Sequence, residues 1–180
     1  MKNITAIIEA RCNSKRLPNK ILLKVKNEPI IYHLIQRLKI SKKLTNIIVA
    51  TSKNKLDDKL VEYLKKKEIL YYRGSENNVR QRVLDTAIHF KSDIIVQITA
   101  DCPLIDPYIV DKVINTFQKK KVKCCSNSFI RSYPDGMDVV VFSLETFKKI
   151  NRLCPNTKKY KEHTSLYFLR KLNKKFRFNI

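Results

Sequence analysis

The sequence has almost no glycine, with only two residues among 180. Neither lies near the amino terminus, where a predicted strand, Ile4–Ala10, leads into a polar loop. This loop is therefore neither a P-loop nor a dinucleotide-binding turn, because both need glycine at fixed positions. It holds four cations instead, at Arg11, Lys15, Arg16 and Lys20, which repel one another unless an anion lies among them. A strand followed by a cationic loop predicts that side-chain charge binds phosphate groups here.

Other absences narrow the class of protein. No apolar run is long enough to cross a membrane and no signal peptide is visible, so we expect a cytoplasmic protein without a membrane partner. The five cysteines lack metal-type spacing, and Cys124 and Cys125 are adjacent, which predicts reduced thiols, several of them buried. The length suits one domain, residues 1–180, with a sizeable core.

Acidic residues are also scarce, at 16 against 38 basic ones, which gives a formal net charge of +22. Such a charge suggests a nucleic-acid partner. Most of the basic residues are lysines, however, and abundant Lys, Asn and Ile with little Gly is the pattern of an AT-rich genome. The lysines form runs such as Lys65–Lys67, without the aromatic interleaving of RNA-binding surfaces. We therefore interpret the charge as a solvated basic surface and do not expect a nucleic-acid partner, an interpretation that steep salt dependence of duplex binding would reverse.

Apolar segments alternate with helical patterns over the first two thirds of the chain. Short β-branched segments predict strands buried on both faces of a parallel sheet, at 4–10, 46–51, 69–72 and 94–98. Apolar residues at helical spacing predict helices at 29–40, 57–67 and 79–90, and another from Pro107. Four successive β-α units predict an α/β fold with a Rossmann-like, doubly wound, mostly parallel sheet.

After residue 121 the pattern changes. It predicts short strands at 122–126 and 137–142, helices at 144–153 and 160–172, and the start of a strand after residue 174. We interpret residues 1–121 as a nucleotide-binding β/α core and residues 122–172 as a small β/α insertion.

Ligands of open α/β sheets bind beyond the carboxyl ends of the strands, and polar groups follow each predicted strand here. One of them, Asp101, follows a buried strand and would face the cationic loop. A carboxylate in that position suits Mg²⁺ bridging phosphate oxygens. The alternative is a helix N-cap, but Asp106 fits that role better because it directly precedes Pro107. Asp135 fits a turn with Gly136, whereas Asp138 does not and is a candidate for binding a second substrate.

The segment from Ala6 to Lys20 resembles the Ala-Arg-x-x-Ser-x-Arg-Leu-Pro-x-Lys signature of the sugar-acid cytidylyltransferases. This family includes the enzymes that activate acylneuraminate and 3-deoxy-manno-octulosonate. The similarity is greatest to the branch of spore coat polysaccharide biosynthesis. Its Ala-Thr-Ser, Asp-Cys-Pro-Leu-Ile-Asp, Tyr-Pro-Asp-Gly-x-Asp-Val and Glu-His motifs begin here at Ala50, Asp101, Tyr133 and Glu162.

The resemblance implies a cytidylyltransferase that transfers CMP from CTP to a sugar acid and releases pyrophosphate. It further implies Mg²⁺ as cofactor, held by Asp101, and a homodimer. The implied catalytic residues are Arg11, Arg16, Lys20 and Asp101. The implied nucleotide-binding residues are Ala10, Arg11, Ser14, Arg16, Lys20, Thr51, Ser52, Gly74, Ser75, Arg82 and Asp101. The implied sugar-binding residues are Asn127, Asp135, Asp138, Glu162 and His163.

The chain departs from the family pattern in three places. The segment Asn78–Arg82 replaces Asp-Val-Leu-x-Arg, so that Arg80 stands at an apolar position, and Val140 replaces a glutamate. The pattern also continues beyond residue 180 to an Arg-x-Thr-Val-Asp-x-Pro-Glu-Asp segment with a second metal carboxylate, which predicts a missing C-terminal core segment. One alternative is therefore a truncated, non-catalytic homologue that binds nucleotide or a partner. A further alternative is a nucleotide-sugar-dependent glycosyltransferase, against which the lack of an Asp-x-Asp pair at Asp101 counts.

Overall fold

The computed structural model describes residues 2–14, 17–130, 133–163 and 167, together with the backbone of 177–179. The strands are β1 (Ile4–Glu9), β2 (Lys24–Val25), β3 (Glu28–Pro29), β4 (Asn46–Ser52), β5 (Tyr71–Gly74), β6 (Ile94–Thr99), β7 (Cys124–Ser126), β8 (Val140–Ser143) and β9 (Arg177–Asn179). The helices are α1 (Ile30–Leu38), α2 (Asp58–Lys66), α3 (Val79–His89), α4 (Pro107–Lys120), α5 (Leu144–Leu153) and α6 (Lys158–Glu162).

Seven of these strands form one sheet in the order β5-β4-β1-β6-β8-β7-β9. The strands β5, β4, β1 and β6 run parallel, whereas β8 is antiparallel to both β6 and β7. The register pairs Glu9 at the end of β1 with Ala50 of β4 and with Thr99 of β6. The polar segments that follow these three strands therefore meet at one edge of the sheet.

Helices cover both faces of the sheet, which confirms the predicted doubly wound architecture. On one face α1, α2 and α4 pack against residues such as Ile8 of β1. On the other face α3 and α5 pack against residues such as Ile7 of the same strand. Successive side chains of a strand point to opposite faces, so burial of both faces explains why the strands are continuously apolar.

Most predicted elements lie within a few residues of the observed ones, and β5 differs for a local reason. The prediction placed it at 69–72, but the strand is Tyr71–Gly74. Glu68 adopts a left-handed conformation with φ 54°, and the Ile69 N–H donates to the Leu64 carbonyl at 2.9 Å. This is the hydrogen bond of a Schellman helix end, so Ile69 still belongs to the end of α2.

The later part of the chain continues the same sheet, because β7 and β8 join it beside β6. The division at residue 121 therefore stays a prediction about function. The helix predicted at 160–172 overlaps α6 at its start, and most of its remaining length lies outside the described residues. Within the described part of the chain, no helix is long and apolar enough to cross a membrane.

Candidate functional site

A polar cavity of about 600 Å³ opens at the edge of the sheet where β1 and β6 end. Many of the predicted site residues line it, namely Ala10, Arg11, Ser14, Lys20, Arg82, Asp101, Glu162 and His163. A smaller cleft of about 340 Å³, lined by residues such as Ile35 and Ile69, contains none of the predicted site residues. The larger cavity is therefore the candidate functional site.

The cationic loop is held to the sheet by a buried carboxylate, Asp57, which is 1% exposed. Its oxygens accept hydrogen bonds from the Cys12 N–H at 2.6 Å, from the Ser52 N–H at 3.1 Å and from the Ser52 hydroxyl. Burial opposes ionisation of Asp57, but these hydrogen bonds outweigh it and hold the pKa of the carboxyl below its ordinary value. Burial, reinforced by the Asp57 charge, raises the pKa of Cys12 to about 12. Asp57 therefore fixes the start of the loop, between Arg11 and Asn13.

Sequence reasoning missed Asp57, because an acidic residue at the start of a helix is normally interpreted as a local cap. It also assigned Thr51 and Ser52 to direct nucleotide contact. Both are buried, and neither lines the cavity. The Ser52 hydroxyl donates a hydrogen bond to Asp57, so Ser52 lies behind the loop and supports it.

Lys20 and Asp101, which both line the cavity, form an ion pair. Burial raises the pKa of Asp101, but the hydrogen bond and charge of Lys20 outweigh burial and lower it. The predicted cap at Asp106 is confirmed, since its side chain accepts from the Tyr108 N–H at 2.7 Å. Asp101 is therefore not the N-cap of α4, and its carboxylate faces the cationic loop.

Arg82 reaches the cavity from α3 with a side chain that is 1% exposed. Its guanidinium donates to the carbonyls of Ala50 at 3.2 Å and Ser75 at 2.6 Å. Burial lowers its pKa, and the charge of Glu9 acts in the opposite direction. Gly74 makes room for this side chain, because a Cβ there would lie 2.9 Å from the Arg82 Cγ. Gly74 and Ser75 thus place Arg82, and neither lines the cavity.

Two carboxylates that sequence reasoning missed also line the cavity. Glu9 ends β1 and accepts from the Gln97 amide at 2.7 Å. Glu76 accepts from the amides of Asn13 at 3.4 Å and Asn54 at 2.8 Å, so it links two loops. Glu9 could have been found by the strand-end rule applied to Asp101, since it is the last residue of its strand.

The predicted sugar-binding residues fall into two groups. Glu162 and His163, at the end of α6, line the cavity together with Lys158, at the start of that helix. Asn127, Asp135 and Asp138 do not line it. Arg16, predicted for catalysis and nucleotide binding, lies outside the described residues.

The side chain of Asn127 hydrogen-bonds to backbone atoms. Its amide nitrogen donates to the Met137 carbonyl at 2.7 Å, and its oxygen accepts from the Val139 N–H at 2.8 Å. These bonds flank Asp138, which lies close enough to Cys102 to act electrostatically on its thiol. Asn127 therefore fixes the backbone that carries Asp138.

Asp101 is the carboxylate at the cavity that is suited to bind a divalent cation. Within the ranges that the structure describes, no cluster of three or more His, Cys, Asp or Glu side chains is arranged to hold a metal ion. Mg²⁺ in nucleotide sites is typically bound by one or two carboxylates together with substrate phosphates and water. Asp101, partly exposed beside the cationic loop, meets that requirement.

Solved structures with this fold define its class. A cytidylyltransferase from Leptospira borgpetersenii serovar Hardjo-bovis matches the whole chain with a TM-score of 0.94 and 35% identity, and the match covers 76% of that protein. A CMP:2-keto-3-deoxy-manno-octonic acid synthetase, solved with CTP, also matches the whole chain, with a TM-score of 0.74 over 90% of its length. At 17% identity, this similarity shows only that the two proteins share a fold. The chain has the fold of the nucleotidyltransferases.

The family follows from the sequence match. The model of a family described as cytidylyltransferase matches residues 5–179, and the chain belongs to this family. The predicted family membership is thereby confirmed.

The curated relatives are longer proteins. An uncharacterised protein of Methanocaldococcus jannaschii is 38% identical over 91% of the chain, which spans 66% of that protein. The spore coat polysaccharide biosynthesis protein SpsF of Bacillus subtilis is 30% identical over 93% of the chain and 70% of its own length. The 8-amino-3,8-dideoxy-manno-octulosonate cytidylyltransferase of Shewanella piezotolerans is 30% identical over 65% of the chain, which spans about half of it (48%).

Proposed function

We propose that the protein transfers CMP from CTP to a sugar acid and releases pyrophosphate, in the synthesis of a surface polysaccharide. The observation that carries the proposal is one cavity lined by Arg11, Lys20 and Arg82 together with Asp101, which pairs with Lys20. Arginine and lysine side chains bind the phosphate oxygens of a triphosphate through charge-assisted hydrogen bonds. We place the reaction in the cytoplasm, since all five cysteines are buried thiols that form no disulfide, as in a reducing compartment.

The nucleotide side would act through charge and position. Arg11 and Lys20 line the cavity beside Ser14, and the buried Arg82 adds a cation whose direction is set by its backbone acceptors. In the reaction the anomeric hydroxyl oxygen bonds to the α-phosphorus, the bond to the bridging oxygen breaks, and pyrophosphate leaves with the electron pair. The hydroxyl proton passes to a carboxylate, an imidazole or water. Positioning and charge stabilisation supply most of the catalysis in such transfers.

Asp101 is the residue that would hold Mg²⁺ together with phosphate oxygens of CTP. A divalent ion there neutralises charge that develops on the phosphates. Lys20 holds the carboxylate in place through the ion pair. Asp101 would thereby couple nucleotide binding to Mg²⁺.

The sugar acid would bind on the side of Glu162 and His163, which share the cavity with Asp101. An octulosonate is the first class to test, because the Shewanella relative is named for one. Asp138 would contact the sugar from the segment that Asn127 holds. We also infer a homodimer, which light scattering on the purified protein tests.

The deciding experiment measures binding and turnover separately. Calorimetry with CTP, UTP, ATP and GTP, with and without Mg²⁺, should give tight binding for CTP with Mg²⁺. Pyrophosphate release should then require 3-deoxy-manno-octulosonate, its 8-amino-3,8-dideoxy analogue or N-acetylneuraminate. Equal affinity for all four nucleotides would contradict the proposal.

A second candidate function is nucleotide binding without turnover. It is favoured because the described residues hold no cluster of three or more His, Cys, Asp or Glu side chains that could bind a metal ion. CTP binding with Mg²⁺ but no pyrophosphate release with any of the three sugar acids would support it.

A further inference from the structure

Arg80 is a buried arginine outside the cavity, with a side chain that is 3% exposed. It lies on α3, two residues before the cavity residue Arg82. Burying a guanidinium is costly unless hydrogen bonds compensate it. The acceptors of Arg80 therefore indicate what the residue does.

The guanidinium of Arg80 connects α3 to two other helices. Its Nε donates to the Asn151 side-chain oxygen at 2.8 Å, on α5. Its Nη1 donates to the Cys154 sulfur, just after α5, and to the Tyr160 carbonyl at 3.0 Å, within α6. The hydrogen bonds that the described residues give Arg80 thus go to neutral acceptors, since burial keeps the pKa of the Cys154 thiol raised.

The bond to Tyr160 matters because α6 is short. Five residues are too few for a helix to be stable by itself, and the structure gives its end two backbone bonds, Lys161 N–H to Thr157 and His163 N–H to Lys159, both at 3.0 Å. Carbonyls near the end of a helix lack intrahelical partners. Arg80 satisfies one of them, two residues before Glu162.

We propose that Arg80 is a positioning residue that fixes α6 and thereby places Glu162 and His163 at the sugar side of the cavity. The catalytic part of this inference rests on the proposed function, whereas the positioning part does not. Arg82 lines the cavity from the same helix. One helix thus sets both a nucleotide-side cation and the sugar-side wall.

The positioning part is tested by amide hydrogen exchange, resolved by NMR, in the full chain. The variant Arg80→Leu keeps most of the volume and removes the donors. Protection of the Lys161 and His163 amides should fall by about tenfold or more, while protection in β1 and β4 stays unchanged. Arg80→Lys, which keeps the charge and fewer donors, should fall in between.

Arg37→Leu is the matched control. Arg37 also donates from a partly buried guanidinium to a backbone carbonyl, that of Ile105 at 2.6 Å, but it lies on α1 and does not line the cavity. Its loss should leave the α6 amides protected. Equal protection of these amides in wild type and Arg80→Leu, or no protection in the wild type, would overturn the proposal.

The catalytic part is tested by separating the two substrates. With 3-deoxy-manno-octulosonate as probe, Arg80→Leu should raise the sugar KM by about tenfold, with the CTP Kd changed less than about twofold. A rise in CTP Kd equal to the rise in sugar KM would indicate a structural role only and overturn this part. If the wild type releases no pyrophosphate, the proposed function has failed, and the exchange experiment still decides the positioning role.

Discussion

The two walls of the cavity are carried by different elements of the fold. On the nucleotide side the groups follow parallel strands of the sheet, and Asp57 and Arg82 hold them from the core. On the sugar side Glu162 and His163 lie at the end of a short helix that Arg80 holds, and Asp138 lies outside the cavity lining on a strand-free segment that Asn127 holds. The nucleotide wall is thus part of the core, whereas the sugar wall is attached to it. This difference predicts that the sugar wall can be altered at a smaller cost in stability.

The largest effect is expected for Asp57→Ala. It removes a buried carboxylate and leaves the Cys12 and Ser52 amides without their acceptor. We expect a loss of about 3 kcal/mol or more in the free energy of unfolding, and a weaker CTP affinity because the loop start is released. Urea unfolding and calorimetry measure both.

Asp58→Ala is the control for Asp57→Ala. Asp58 is the next residue, but its carboxylate is 47% exposed and pairs with Arg73 at 2.7 Å. We expect it to cost less than about 1 kcal/mol. If both variants lose the same stability, the nucleotide wall does not depend on the buried carboxylate.

The pH dependence of the unfolding free energy tests whether the charge of Asp57 stabilises the loop. The folded-state pKa of Asp57 is lowered, so its stabilisation is complete above the unfolded value of about 3.9 and is lost as the pH falls through the folded value. The difference in unfolding free energy between wild type and Asp57→Ala should therefore be constant from pH 7 to 5 and shrink below about pH 4. Urea unfolding at pH 7, 5, 4 and 3 measures it. A difference that stays constant down to pH 3 would mean that the charge of Asp57 is not what stabilises the loop.

Sequence reasoning predicted the sheet and the residues at its strand ends, and it missed the groups that hold them. The strands and the Asp106 cap are set by neighbours in sequence, through apolar continuity and a residue pair at a helix start. Asp57 contacts Cys12 across 45 positions, and Arg80 contacts Tyr160 across 80. Such partners depend on how the helices pack in three dimensions. The arginine at an apolar position of the family pattern marks Arg80 as unusual, but the residues near 57 or 80 do not indicate which distant groups these side chains contact.

The two glycines allow a direct comparison of the walls. Gly74→Ala would push a methyl group against Arg82, so we expect a loss of about 2 kcal/mol and a raised CTP Kd. Gly136→Ala meets open space but carries a φ of +89°, so we expect about 1 kcal/mol from backbone strain and a raised sugar KM. Urea unfolding measures the two losses of stability. Binding and steady-state kinetics should show that Gly74→Ala affects CTP and that Gly136→Ala affects the sugar. Both variants acting on CTP alone would contradict the assignment of the walls.

A smaller effect is expected for Asn127→Ala. It leaves the buried Val139 N–H unpaired, at a cost of about 1–2 kcal/mol, and frees the backbone around Asp138. The sugar KM should rise while the CTP Kd stays unchanged. Asn46→Ala is the control, since it removes an amide that donates to the Asn3 side chain at 2.9 Å, away from the cavity. A change in CTP Kd without a change in sugar KM would place Asn127 on the nucleotide side instead.

The smallest effect on stability, and a large one on binding, is expected for Asp101→Asn. Its ion pair with Lys20 is solvent-accessible, with side chains 46% and 29% exposed, so the loss should stay below about 0.5 kcal/mol. An amide binds Mg²⁺ far more weakly than a carboxylate, so the Mg²⁺ dependence of CTP affinity should disappear. Glu76→Gln makes the same chemical change within the same cavity and should leave that dependence in place. Calorimetry at several Mg²⁺ concentrations distinguishes the two. If the Mg²⁺ dependence persists in Asp101→Asn and disappears in Glu76→Gln, the residue that binds the metal is Glu76 and not Asp101.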